Sequence, residues 1–300
     1  MALTLAEAGK LTQDLLLRGV VETIVSESQV LQYLPFMDVT GNMLSYNQEA
    51  TLPTAAFYAV GDTWTEDTPT FAQRTARLAI LGGDADVDNF LQQTYANPND
   101  LEAAVVAAKA KAVARKWSDT FFNGDTSVDL KAFDGLHRLI PAGQRLKAAG
   151  NNVNGGALTL DDMDAFLDLV RPGKPDAIFL GKRSRRKLKV LRRTGGNVLE
   201  VELDQFGRRV EFYDGIPLIA DDFILDTRTV GTSAGICSTM YAVQFGYGRG
   251  LMGIHNGGVQ VEEVGELETK DATRRRVKWY ASLVNFRDIA AAALEGITGA

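Results

Sequence analysis

Cysteine occurs once in this 300-residue chain, at Cys237, and histidine twice, at His137 and His255. One cysteine excludes internal disulfides and a cysteine-rich zinc site, and it suits a reducing compartment. No apolar stretch approaches the roughly 20 residues needed to cross a bilayer. The opening Met-Ala-Leu-Thr-Leu-Ala-Glu lacks a basic start and is interrupted by Glu7, so no signal peptide is expected. A basic excess is lacking too. The net charge of -6 and pI near 5.1 argue against a dedicated nucleic-acid binder. There is no lysine from Leu11 to Ala108, no internal repeat and no low-complexity tract. What is present is a 45% hydrophobic content, enough for a core in one large domain or two smaller ones.

Residues 1–40 read as an arm with short helices, in which Leu17, Val20, Val21, Ile24 and Val25 recur at helical spacing. Residues 42–52 and 70–81 read as the two strands of an extended hairpin, with Pro53, Gly61, Asp62, Asp67 and Pro69 marking its loop. Neither strand alternates cleanly, so neither presents one face to a core. An isolated hairpin is marginal in water, and a neighbouring subunit can supply the surface it needs. In residues 83–90, Ala85 and Val87 alternate with Asp84, Asp86 and Asp88. Asn97-Pro98-Asn99-Asp100 supplies a turn and an N-cap for a helix over Leu101–Phe122. Seven of the fourteen residues from Leu101 to Ala114 are alanine, the best helix former. Val106, Val113, Trp117 and Phe121 form its apolar stripe, and Gly124 is its expected stop.

From about residue 133 to 261 the pattern is that of a compact α/β region. Helices are expected at Leu160–Val170, preceded by Thr159, and at the basic Lys182–Arg193. Strands are expected at Asp176–Leu180, Val210–Tyr213, Pro217–Ala220 and Ser238–Phe245. A further strand follows at Thr273–Val284, and a short alanine-rich helix over Asp288–Leu294 is expected to end the chain.

Catalytic sets are hard to assemble from these residues. No nucleophile elbow is expected, and each histidine is expected to be structural or solvent-exposed. Cys237 reads as a small buried hydrophobe. Asp84-x-Asp86-x-Asp88 opens like a calcium loop, but Asn89 stands where glycine is needed and Tyr95 where a bidentate glutamate is needed. One polar strand face is the expected reading there, and a strand-end turn is expected at Asp221-Asp222. Gly246–Gly253 is glycine-rich without a Gly-Lys-Ser/Thr ending and reads as a turn-rich loop. The helix 182–193 holds eight basic residues, without which the net charge would be -14. It faces phosphates, an acidic neighbour or solvent, and its local polarity suits head-to-tail contacts between identical subunits.

The order of parts resembles the major capsid proteins of tailed bacteriophages, the Hong Kong 97-type fold. The resemblance is carried by Asp119-Thr-Phe-Phe-Asn-Gly-Asp125 with Phe133-Asp-Gly-Leu136, and by Tyr213-Asp-Gly-Ile-Pro-Leu218 before Asp221-Asp222. Ser238-Thr-Met-Tyr-Ala-Val-Gln-Phe-Gly246 and Arg276-Val-Lys-Trp-Tyr280 complete it over nearly the whole chain. The resemblance implies an α+β subunit with an N-terminal arm (1–40), an E-loop hairpin (41–80), a peripheral domain (81–132 and 262–300) with a long spine helix, and an axial domain (133–261).

The implied function is structural, without an active site or cofactor: pentamers and hexamers of an icosahedral head around double-stranded DNA, held by nonspecific contacts. Such a head belongs to a virion assembled in a bacterial cytoplasm, without a membrane. Candidate intersubunit contacts are Phe57, Tyr58, Trp64, Glu66, Arg74 and Arg77. Candidate basic contacts with DNA or a neighbour are Arg185, Arg186, Lys189, Arg192 and Arg193. The lysine-free segment rules out the hairpin-lysine cross-link that some relatives use. The roughly 40 residues before the hairpin leave no room for a large fused scaffold, so a separate scaffolding protein is expected, with a portal and a possible decoration protein. Two other readings are an encapsulin-type nanocompartment shell, which shares this fold, and a soluble α/β hydrolase built on one of the histidines.

Overall fold

The computed structural model describes residues 24, 28–51, 53–90, 101–194, 200–203, 209–233 and 235–299. The expected apolar stripe at Leu17, Val20, Val21 and Val25 and the turn at Asn97–Asp100 lie outside them, whereas Ile24 is described and fully buried. In chain order the principal elements begin with α1 (Val30–Tyr33), β1 (Phe36–Asp38), β2 (Met43–Thr51), β3 (Thr70–Arg77), β4 (Ala79–Asp88), α2 (Leu101–Asn123) and α3 (Leu136–Leu139). There follow β5 (Arg145–Lys147), β6 (Gly156–Ala157), α4 (Leu160–Asp168), β7 (Ala177–Leu180) and α5 (Lys182–Thr194). The remaining strands are β8 (Glu200–Leu203), β9 (Arg209–Tyr213), β10 (Ile216–Ala220), β11 (Ser238–Val243), β12 (Leu251–Glu266), β13 (Ala272–Asn285) and β14 (Ala291–Thr298).

The alanine-rich α2 is 23 residues long, about 35 Å at a helical rise of ~1.5 Å. Its small and large apolar residues fall on one stripe: Val106, Ala110, Val113, Trp117 and Phe121 are all buried. This stripe packs on β4 and β13 of a four-stranded sheet ordered β1-β12-β13-β4. The Trp117 ring stacks on Trp279 from β13 at 5.6 Å, and Phe36 from β1 lies 6.0 Å from Trp117. Gly253 makes room for that Phe36 ring, because a Cβ there would lie 2.4 Å from Phe36 Cε1. Replacing a buried aromatic of this kind by alanine costs about 3–5 kcal/mol.

The second sheet has eight strands in the order β5-β14-β11-β7-β10-β9-β8, with β6 beside β14. Its central strands are apolar on both faces because both faces are covered. Ala177, Phe179, Tyr241 and Val243 turn toward the core shared with α2. Ile178, Leu180, Met240 and Ala242 turn toward Met163 and Phe166 of α4 and Leu188 of α5. Thr159 caps α4 as expected, in a reciprocal capping box with Asp162. Asp214 and Gly215, at φ of 52° and 75°, form the tight β9–β10 turn that an Asp-Gly pair favours.

The last expected element is corrected. Ala291–Thr298 is not a helix but a strand, preceded by a single 3-10 turn at Asp288–Ala290. Alanine favours a helix only weakly, and pairing with β11, β5 and β6 overrides that preference. Small side chains suit this site: Ala291 and Ala293 pack into one core and Ala292 into the other. Sheet membership also cuts across the expected division of the chain. Strand β12 runs through the 261/262 boundary and pairs with β13 along its length, and β14 joins the sheet of the α/β region. At the hairpin end, β3 stops at Arg77, and residues 79–81 already belong to β4.

The two motifs that flank the end of α2 meet in space. Gly124 N–H donates to Thr120 O at 2.8 Å and ends the helix after Asn123. Gly135 N–H donates to Gly124 O at 3.0 Å. A Cβ on Gly124 would lie 2.3 Å from Phe133 O, and one on Gly135 2.4 Å from Thr120 O, so the crossing admits only glycine at either place. Asp134 accepts from Thr126 N–H and Oγ1, while Asn123 donates to Phe223 O and accepts from Arg228. Asn-Gly-Asp and Phe-Asp-Gly-Leu thus lock the spine helix to the α/β region.

Candidate assembly surfaces

Strands β2 and β3 form their own two-stranded sheet. Its root is apolar and anchored: Leu44, Tyr46, Ala76 and Leu78 pack on Val39, Met252, Ile254, Val284 and Phe286. Tyr46 O–H donates to Asn285 O at 3.1 Å, and Arg74 reaches Asp288 at 3.3 Å. Arg74 therefore fastens the hairpin to its own chain. Arg77 is exposed at the hairpin root.

Beyond the strands, the tip is a built loop. Tyr58 and Trp64 stack with ring centroids 4.3 Å apart, and the Tyr58 hydroxyl bonds the Thr65 hydroxyl at 2.9 Å. Asp67 closes the loop by accepting from the Thr54 N–H and hydroxyl at 2.8 and 2.9 Å, which holds its carboxyl below the usual range. Phe57 and Trp64 remain 108% and 76% exposed, beside exposed Val60 and Glu66. Trp64, held by the Tyr58 stack and left in water near exposed Phe57 and Val60 in sequence, makes the tip a candidate interaction surface.

The basic helix α5 is organised differently. Lys182 pairs with Asp222 at 2.6 Å, and Arg183 donates to Ile236 O and Ile297 O at 2.7 and 3.2 Å. Lys189 pairs with Glu211. The Arg192 guanidinium sits 5.1 Å over the Tyr213 ring, whose hydroxyl donates to Asp164 at 2.7 Å. Arg185 is half-buried and lines a 130 Å³ cavity with Gln29 and Glu211. Of the five arginine and lysine candidates, Arg186 and Arg193 are the ones that stand exposed.

Among the described residues, the remaining groups do not converge on a catalytic centre. Asp84 and Asp86 lie on one strand face and take bidentate bonds from Arg276 and Arg274, at 2.6 to 2.9 Å. These arginines hold both carboxyls below their usual range. Among the described residues no cluster suits a metal ion. Asp221 accepts from Phe223 N–H at 2.9 Å in the expected strand-end turn, and burial pushes its carboxyl up. His137 lies in the one-turn α3, and burial with Arg228 and Arg145 nearby lowers its pKa to about 4. His255 packs edge-on against Phe36 at 5.5 Å, and burial lowers its pKa as well.

One expectation about motifs is wrong: Gly231-Thr-Ser-Ala-Gly235 does have the spacing of a hydrolase nucleophile elbow. The structural context of an elbow is missing, because the chain continues into strand β11 and not into a helix. The Ser233 hydroxyl accepts from Val230 N–H at 2.8 Å and from buried Cys237 Sγ at 3.2 Å. Ser233 thereby holds a turn together, and Cys237 is a buried residue that bridges to Arg228 at the entry to β11.

Sequence reasoning missed a cleft of 570 Å³ between the hairpin root and residues 126–139, with Arg77, Ile80, Leu130, Lys131, Phe133 and Leu283 in its walls. Its signal was present as Leu130, an exposed apolar residue within an otherwise polar turn. No described helix is long and apolar enough to cross a membrane.

A long spine helix across a four-stranded sheet, an eight-stranded α/β region and a projecting hairpin together define the Hong Kong 97-type fold of protein shells. No protein-family model matches this sequence, nor does any curated protein. Solved structures match over nearly the whole chain. The chain is similar to the SrpI encapsulin of Synechococcus elongatus PCC 7942, at TM-score 0.72 and 18% identity, covering 93% of this chain and 90% of that one. It is also similar to the cyanophage A-1(L) capsid protein, at TM-score 0.63 and 13% identity over 93% of each chain. The capsid of the native GTA particle matches at TM-score 0.63 and 13% identity over 91% of each.

Proposed function

We propose that this chain is the major capsid subunit of a tailed-phage-type head. It assembles into pentamers and hexamers that close an icosahedral shell around double-stranded DNA. The observation that carries this reading is the hairpin: a rigid loop with Phe57 and Trp64 in water, on a fold that matches shell proteins over 93% of its length. A monomer has no use for that knob, whereas a shell subunit does.

In this reading α2 with β1, β4, β12 and β13 forms the peripheral domain, and the eight-stranded sheet with α4 and α5 forms the axial domain. The E-loop spans β2, the tip and β3. The contacts that hold copies together are noncovalent, since the hairpin has no lysine. A separate scaffolding protein, a portal and a decoration protein are the partners that a growing head calls for, with the virion as its destination. Arg186 and Arg193 are the side chains of α5 available to DNA or to a neighbouring copy.

A second reading, an encapsulin-type nanocompartment, is favoured by one observation: the TM-score of 0.72 to the SrpI shell exceeds the 0.63 to the cyanophage and GTA capsids. The contents of particles made in a bacterial host separate the two. Nuclease-protected double-stranded DNA supports the phage head, and a co-purified cargo enzyme supports the nanocompartment. A monomer under all conditions, including with a scaffolding protein co-expressed, overturns both.

A further inference from the structure

The chain holds three Asn-Gly pairs: Asn123-Gly124, Asn154-Gly155 and Asn256-Gly257. In this dipeptide the glycine nitrogen can reach the asparagine Cγ, because glycine has no side chain to hold it off. Ring closure needs a glycine nitrogen able to move, an amide nitrogen free to leave and an amide oxygen able to take up negative charge. Two of the three pairs are tied down. Asn123 Nδ2 donates to Asp119 Oδ1 and Phe223 O at 3.0 and 2.9 Å, and Gly124 N–H is held by Thr120 O. Asn256 lies in β12, where its Nδ2 donates to Val39 O at 3.0 Å and Gly257 N–H donates to Asp38 Oδ1 at 3.1 Å.

Asn154 differs on each count. It is exposed in the loop before β6, and no described residue accepts from its Nδ2. Its Oδ1 accepts from the Thr232 N–H at 3.0 Å. Gly231 permits that approach, because a Cβ there would lie 2.4 Å from Asn154 Oδ1. Gly155 N–H donates to Asn152 O at 2.9 Å, a bond in an exposed turn that local opening releases.

We propose that Asn154-Gly155 is a self-modifying site that converts to aspartate and isoaspartate in the folded chain. Gly155 N attacks Asn154 Cγ; the N–Cγ bond forms and the Cγ–Nδ2 bond breaks. Ammonia leaves, carrying the Gly155 amide proton. Water, the only co-reactant, then opens the cyclic imide. Cleavage at Cγ gives aspartate, and cleavage at the main-chain carbonyl routes the chain through Cβ and Cγ as isoaspartate. The Thr232 N–H is a fixed donor to the oxygen on which negative charge develops as the ring closes. Isoaspartate lengthens the main chain where there is no slack. A Cβ on Gly155 would lie 2.2 Å from Gly296 O, and Gly156 pairs with Ile297. Conversion therefore marks the age of a subunit and loosens β6 from β14.

The test is peptide mapping of the full chain aged at mildly alkaline pH, folded and in urea. Fragment masses locate each exchange of amide for acid, and labelling by isoaspartyl methyltransferase counts isoaspartate. In the folded chain Asn154 is expected to convert several-fold faster than Asn123 and Asn256. In urea the three rates are expected to converge, with Asn154 slowed by loss of the Thr232 donor and the other two freed. Asn154→Gln is expected to remove the methyltransferase label, and a label that persists places the mark elsewhere. An Asn154 that stays intact in the folded chain, or converts no faster than the other two, overturns the site. An Asn154 that leads in the folded chain but accelerates in urea overturns the role of Thr232.

Discussion

The hairpin tip and helix α5 use their side chains in opposite ways. At the tip, Phe57, Val60 and Trp64 stand in water, and Asp67 with the Tyr58 and Thr65 hydroxyls holds the loop's shape. In α5, Lys182, Arg183, Lys189 and Arg192 reach acids, carbonyls or an aromatic face of their own chain. A charge run that finds its partners at home is part of the fold. Large apolar groups that the described residues leave in water are the kind of surface a second molecule covers. On the proposed shell reading, the comparison therefore moves the candidate assembly surface from the basic helix to the hairpin, and leaves Arg186 and Arg193 as the helix's outward-facing contribution.

The comparison breaks most visibly if the tip is removed. Replacing Thr54–Thr68 by a short turn is expected to abolish shell formation while leaving the monomer's thermal unfolding nearly unchanged, measured by microscopy and calorimetry. Intact particles from that variant would show the tip to be dispensable. Lys189→Glu is expected to act on the opposite property. It sets two carboxylates together where Glu211 is largely buried, and costs about 2 kcal/mol of folding stability. An unchanged denaturant midpoint would mean that the helix charges are not structural.

Acid gives a smaller, graded effect. The folded pKa of His137 is about 4, below its ordinary 6.5. As pH falls the unfolded chain takes up that proton first, so stability is intact above pH 6.5 and declines toward pH 4. His137→Gln is expected to flatten the fall in Tm across that window. It will not abolish the fall, since burial depresses His255 too. A Tm profile with the wild-type slope would place the acid sensitivity elsewhere. The smallest folding effect is expected from Arg186→Glu with Arg193→Glu, within about 0.5 kcal/mol because both are exposed. The same pair is expected to lower particle yield or DNA content. If both stay at wild-type levels, that helix face is simply solvated.

Much of this was legible because it is local. The α2 stripe, the Thr159 cap and the Asp-Gly turn each depend on residues a few positions apart. The strand at Ala291–Thr298 was misread because alanine's local preference gives no hint of β11, which it pairs with. The partners of α5 lie up to 114 positions away in sequence, as for Arg183 and Ile297. The cleft is assembled from residues 75–80, 126–139 and 282–283, so it exists only once β3, β4 and β13 are in register. Hidden partners explain why eight basic residues looked more available than they are, and why an apolar cleft passed unseen.

The most direct test of the central claim is electron microscopy of the full chain concentrated after purification, with iodide quenching followed on the same sample. The account predicts closed shells built from five- and six-membered rings, with Trp64 shielded in them. A particle-free monomer whose Trp64 remains open to iodide at every concentration, with or without a scaffolding protein, would contradict it.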